Sequence, residues 1–206
     1  MIKLVGIFPR HLNLNGDFGN LEVLKKRIQW LGYDCENIEV QLGQNLPDEA
    51  DLIFIGHGSM AAWAEADKHL NQISEQIQTA IDNGSHLLAI GSGYEKMIAL
   101  GYFSGSLNQV SRISKFEIAE TDLGPVLGYL NTVSDAPIYQ EKNRIIGSQL
   151  HGPLLAKNPD LADRIIGQIA SKKVIVASRP KDEESLVRVR NLVDAVWALE
   201  EELARQ

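Results

Sequence analysis

His86 to Met97, HLLAIGSGYEKM, is the stretch whose reading decides the fold of this 206-residue chain. An apolar run, His86 to Ile90, ends in Gly91-Ser92-Gly93, and a helical pattern begins at about Tyr94 and continues to Leu100. A buried strand that turns sharply into a helix exposes one residue at the turn and aims backbone N–H groups at whatever binds there. Here that residue is Gly91, which has no side chain with which to do chemistry.

Working outward, the same motif of an apolar run ending in a polar, glycine-bearing turn recurs. Lys3 to Phe8 reads as a first strand, followed by a loop that includes Asn15-Gly16-Asp17-Phe18-Gly19-Asn20. Asn20 is placed to cap a helix to Leu31, on which Leu21, Leu24, Ile28 and Leu31 recur at spacings of three and four. Cys35 to Val40 is a second strand, and Asp51 to Ile55 a third that ends in Gly56-His57-Gly58-Ser59-Met60. A helix follows from about Ala61 to Asp82, with Leu70, Ile73, Ile77 and Ile81 on one face. Strand and helix alternating at these intervals predict a doubly wound α/β sheet, with Asp17, His57 and Gly91 at the carboxyl ends of strands, where such sheets bind ligands.

Beyond Gly101 the segments shorten. Ser111 to Ala119, Val126 to Leu130 and Arg144 to Leu150 read as strands, partly antiparallel, and the last runs into His151-Gly152-Pro153. Asn158 begins a helix to about Ala170 with Pro159 at its first position. Lys173 to Ala177 reads as one more short strand, and a helix runs from about Glu183 to Arg205. Its row of Val189, Leu192, Val196, Leu199 and Leu203 is the pattern of core packing or of a homodimer seam.

Composition narrows the function classes. The length fits one domain over residues 1–206, and a net charge of -7 with scattered Lys and Arg argues against a nucleic-acid surface. No apolar run approaches the ~18 residues of a membrane span, and no signal peptide is evident, so the expectation is a cytoplasmic protein. Cys35 is the one cysteine, so no intramolecular disulfide forms, and its strand-like surroundings read as a half-buried thiol. His11, His69 and His86 show no metal-ligand spacing, and neither a metal nor a cofactor is expected. The glycines of GSGYEK are a weak nucleotide signal, because the third glycine of a dinucleotide fingerprint is missing and Lys96 is off the P-loop spacing.

At the level of motifs the chain resembles the class I glutamine amidotransferases of the CobB/CobQ type, and within them the GatD-type glutaminase subunits. The resemblance is carried by Leu14 to Asn20 (LNGDFGN), Ile55 to Met60 (IGHGSM), Ala89 to Tyr94 (AIGSGY), Arg112, and Leu150 to Asp163 (LHGPLLAKNPDLAD). It implies a flavodoxin-like fold with a mostly parallel sheet flanked by helices. It further implies glutamine as the ligand and a Mur-ligase-like (MurT-type) partner that uses the ammonia to amidate the peptidoglycan precursor lipid II. Carried over by position, His151 matches the proton-relaying histidine and Asp17 the carboxylate that orients it. The backbone N–H of Ser92 and one from Gly56-His57-Gly58 match the oxyanion hole, and Arg112 matches a substrate-binding position.

Gly91 stands where that family has its nucleophilic cysteine, and His57, Met60 and Glu95 depart from its Gly, Asp and Gln. Thioester chemistry has no atom to start from. Three readings follow. The chain is a glutamine amidotransferase-like subunit without glutaminase activity, or a non-catalytic module that binds a partner or a small amide or carboxylate in the old pocket, or a hydrolase using Ser92. The third fits least, since IGSGY does not satisfy G-x-S-x-G.

Overall fold

A computed structural model of the chain describes residues 1–204. Its apolar runs become β1 (Ile2–Ile7), β2 (Cys35–Val40), β3 (Leu52–Ile55), β4 (His86–Ile90) and β8 (Ile145–Ser148), all parallel, with β7 (Tyr139–Lys142) antiparallel at one edge. The strand order is β2-β1-β3-β4-β8-β7. Leu4, Leu52, Phe54, Leu88, Ile90 and Ile146 face one layer of core, while Val5, Ile53, Ile55, Leu87, Ala89 and Ile145 face the other. Alternate residues thus bury on opposite faces, which is why these strands read as continuous apolar runs.

Helices α1 (Gly19–Trp30), α4 (Leu154–Lys157) and α5 (Pro159–Lys173) cover the first face, and α2 (Met60–Asp82) with α3 (Ser92–Ala99) covers the second. A second, antiparallel sheet of order β5-β6-β9 is built from β5 (Gln109–Ala119), β6 (Val126–Ser134) and β9 (Leu150–His151). The expected doubly wound, mostly parallel sheet flanked by helices is therefore present. Among the described residues no helix is long and apolar enough to cross a membrane.

Several expectations are corrected. Arg144 to Leu150 is not one strand: Gln149 donates its N–H to Ile138 O (2.8 Å), and Leu150 donates to Ser148 Oγ (3.0 Å). The backbone turns there and passes from the main sheet into the second one, so that Tyr129 pairs with His151. Lys173 to Ala177 forms no strand. Lys173 closes α5, Val174 adopts a left-handed φ of 52°, and Ile175 donates back to Ala170 O. Asn20 is not a cap either, because α1 starts one residue earlier; its buried amide donates to Asp17 O and accepts from Leu155 N, both at 2.8 Å. β7 was hidden in a polar stretch, since an edge strand needs no apolar run.

The last helix, α6 (Glu183–Ala204), corrects the core reading of its apolar row; its expected end at Arg205 lies outside the described residues. Leu192 (59%) and Leu199 (61%) are exposed, and Val196 and Leu203 are exposed as well. α6 is held by its neighbouring face instead. Val193 is buried, Trp197 Nε1 donates to Lys157 O (2.6 Å), and Lys157 pairs with Glu200 at 2.6 Å between sheltered side chains.

Candidate active site

Four loops at the carboxyl ends of β1, β3, β4 and β8 meet. Their convergence follows from parallel pairing in register, with Ile7 beside Ile55, Ile55 beside Ala89 and Ile90 beside Ser148. Gly91 N donates to Ser148 O (2.8 Å), which fixes the elbow against the strand leading to His151. Gly91 itself has φ 56° and ψ -126° and precedes the first residue of α3. That backbone is strained for any residue with a Cβ and comfortable for glycine. The elbow therefore has the backbone shape of a nucleophile turn without the nucleophile.

Asp17 is fully buried, and each of its carboxylate oxygens lies 3.2 Å from His151 Nδ1. A carboxylate facing Nδ1 keeps the ring proton on that nitrogen and leaves Nε2 as a bare acceptor. His151 is 3% exposed, and its Nε2 has no hydrogen-bond partner. Asp17 Oδ2 also accepts the backbone N–H of His57 at 3.3 Å, so one carboxylate ties two of the converging loops together.

His57 stands edge to face with His151, the ring centroids 5.0 Å apart. Its Nδ1 accepts the backbone N–H of Ser92 at 3.1 Å. Burial, reinforced by His151 and opposed by Asp17, holds the His57 pKa below the ordinary imidazole value, as suits a neutral ring acting as acceptor. Ser92 Oγ accepts from Gly58 N (2.9 Å) and Trp63 Nε1 (2.7 Å) and donates to Gly58 O (3.1 Å). Its proton is spent on a carbonyl and neither imidazole reaches it, so no base is set to activate it.

Asp17, His57, Gly58, Gly91, Ser92 and His151 are thus brought together. Gly56 belongs to the same turn, where a Cβ would fall 2.3 Å from Leu12 O. Arg112 is not drawn in: it is exposed on β5 and donates twice to Asn131 Oδ1, at 3.1 and 3.0 Å. Glu95 accepts from the buried Gln149 amide at 3.0 Å. Cys35 lies outside this network, with burial pushing its thiol pKa up. Sequence reasoning missed Asn15, whose Nδ2 lies 3.2 Å from His151 Nδ1, and Trp63. Asn15 sits inside the quoted LNGDFGN stretch and was findable; a tryptophan in a helix 29 residues before Ser92 carried no signal. Among the described residues no group of three or more His, Cys, Asp and Glu is placed to hold a metal ion.

No protein-family model matches the chain. The chain is 26% identical over 222 residues to the lipid II isoglutaminyl synthase (glutamine-hydrolyzing) subunit GatD of Staphylococcus aureus (strain N315), covering 88% of this chain and 90% of that protein. Among solved structures, PurLQS from Thermotoga maritima superposes with a TM-score of 0.54 at 17% identity, covering 84% of this chain and 99% of the other. A putative GMP synthase protein from Thermoplasma acidophilum does so with a TM-score of 0.52 at 14% identity, covering 84% and 96%. The chain is a homologue of GatD and shares the fold of these two structures.

Proposed function

We propose that this chain is a GatD-like glutamine amidotransferase subunit that retains the relay and the elbow of the glutaminase site and has lost its first chemical step. The observation that carries the reading is Gly91, in an elbow backbone that suits glycine, beside a His151 whose Nε2 is bare and buried. In this assignment His151 is the proton relay and Asp17 its orienting group, and Gly91 marks the missing nucleophile. Ser92, Gly56 and Gly58 supply the remnants of the oxyanion turn, and Arg112, held by Asn131 on β5, has no part in it. The whole chain, residues 1–206, is read as one amidotransferase unit, and its partner as a Mur-ligase-like protein.

A relay alone does not hydrolyse an amide. A histidine speeds proton transfer by about 10²–10⁴-fold when there is a nucleophile to serve, and here it serves none. Purified chain, assayed alone and with a Mur-ligase-like partner, is expected to release no ammonia from glutamine above the enzyme-free background. Enzyme-dependent release that His151→Ala abolishes would overturn the reading. One observation favours a binding role as well: the bare Nε2 of His151 is suited to accept an N–H from a small primary amide such as glutamine.

The exposed row on α6 is the seam we assign to self-association. Turned end over end about the bond between Ala195 and Val196, a second copy sets Leu192 against the partner's Leu199. The exposed apolar row thereby meets itself, as a two-fold interface requires. Sedimentation velocity should find a dimer that Leu192→Asp with Leu199→Asp reduces to monomer. A wild-type chain that stays monomeric at ~100 μM, far weaker than a specific dimer needs, would remove the assignment.

A further inference from the structure

We infer that His57 is a lock on the elbow, coupled to Gly91, so that the site is closed by two residues and not by the loss of one. The inference rests on the proposed reading of Gly91 as a nucleophile position and adds to it what now fills the vacancy.

The first ground is steric. A Cβ built on Gly91 falls 2.7 Å from His57 Nδ1 and 3.1 Å from His57 Cβ. Rotating the imidazole away relieves the first contact and leaves the second, because the Cβ moves only with the backbone. The same Cβ falls 2.6 Å from His151 Cε1, so a thiol there must also push the relay ring aside. Contacts this short are repulsive, and a packed interior yields little. A side chain at 91 and an imidazole at 57 therefore compete for one space, which His151 crowds from the other side.

The second ground is the use of hydrogen bonds. An oxyanion hole needs N–H groups that are free to bind a developing negative charge. The Ser92 N–H is given to His57 Nδ1, and the Gly58 N–H is given to Ser92 Oγ. Both donors are satisfied inside the chain. A glycine at 57 would free the Ser92 N–H and open the space the ring occupies. His57 is a positioning residue in this account: it decides whether the elbow is open, and it touches no substrate while it is closed.

The test uses the full-length chain with Cys35→Ser, so that any thiol is the introduced one. Gly91→Cys, His57→Gly and the double variant are compared for alkylation by iodoacetamide as a function of pH, for melting temperature, and for ammonia release from glutamine. Gly91→Cys alone is expected to melt lower than the parent by about 5 °C, to react no faster than an ordinary thiol, and to release no ammonia. In the double variant part of the lost melting temperature should return, since the contact with His151 and the elbow backbone remain. Its thiol should react at least ~10-fold faster at pH 7, with an apparent pKa below the ordinary cysteine value, because His151 then stands beside it.

Any restored hydrolysis in the double variant has a defined course. The thiol proton passes to His151 Nε2 as Sγ bonds the carboxamide carbon, and the C–N bond breaks with that proton going to the departing ammonia. Water then cleaves the thioester to glutamate. A Gly91→Cys variant as reactive and as stable as the double variant would overturn the lock. So would a folded double variant whose thiol gains nothing. Neither result bears on whether the natural chain is silent, which its own ammonia assay decides; conversely, an active natural chain would remove the reading of Gly91 while leaving the steric coupling measurable in the melting temperatures.

Discussion

Replacing Asn158 by alanine is expected to cost about 3 kcal/mol of stability, far more than an exposed turn residue would. Asn158 is buried, and its amide makes three bonds: Oδ1 accepts from Leu127 N (2.9 Å), and Nδ2 donates to Leu127 O (2.8 Å) and Leu154 O (2.7 Å). Bonding both the N–H and the C=O of Leu127, it extends the β6 edge where β9, which covers only Tyr129 and Leu130, has ended. Alanine strands those backbone groups in a dry place, at about 1–3 kcal/mol each before relaxation. Urea unfolding of the variant checks this, and a loss under about 1 kcal/mol would show that water repairs the edge. The same segment carries His151, so the variant also tests how firmly the relay is held.

Acidification should weaken the fold through His86, the first residue of the strand that leads to the elbow. Burial, with the cations Arg144, Lys172 and Arg164 adding to it and Glu141 opposing, brings the His86 pKa down to about 4. An unfolded histidine titrates near 6.5, so between these values the unfolded chain binds the extra proton. The stabilising contribution is therefore complete above pH ~6.5 and is lost as pH falls toward 4, by about 3 kcal/mol if the whole shift is expressed. His57, shifted the same way, adds to the slope, and carboxylates titrate in the lower part of the range. The difference between wild type and His86→Gln isolates the His86 share. Parallel stability curves for the two proteins between pH 7 and 4 would mean that the imidazole is hydrated in the folded state.

Much of the scaffold was legible in the chain because buried parallel strands leave an unambiguous mark. Cys35–Val40 and His86–Ile90 are strands over the expected residues, and the turns at the strand ends bring Asp17, His57, Gly91 and His151 together as the glycine-bearing loops suggested. What was not legible depended on contacts distant in sequence. Asn20 looks like a helix cap, yet Leu155, 135 residues away, claims its oxygen. The KVIVA run resembles a strand, but α5 continues through Lys173 and leaves Val174 and Val176 exposed. The apolar row of α6 was visible; which face would be held inward was set by Trp197 and Glu200, whose partner Lys157 lies on another helix. His57 read as a drifted turn residue, and only the meeting of two loops makes it an occupant of the elbow.

The central claim is that no covalent glutamyl intermediate forms on this elbow, and trapping with hydroxylamine tests it most directly. An acyl-enzyme made from glutamine partitions between water and hydroxylamine, and the second route gives γ-glutamyl hydroxamate in proportion to the enzyme present. The wild-type chain is predicted to yield no hydroxamate above the enzyme-free blank at any concentration of glutamine. Hydroxamate that accumulates with enzyme and disappears in His151→Ala would contradict the account, because it would require a nucleophile at a site where Gly91 supplies none.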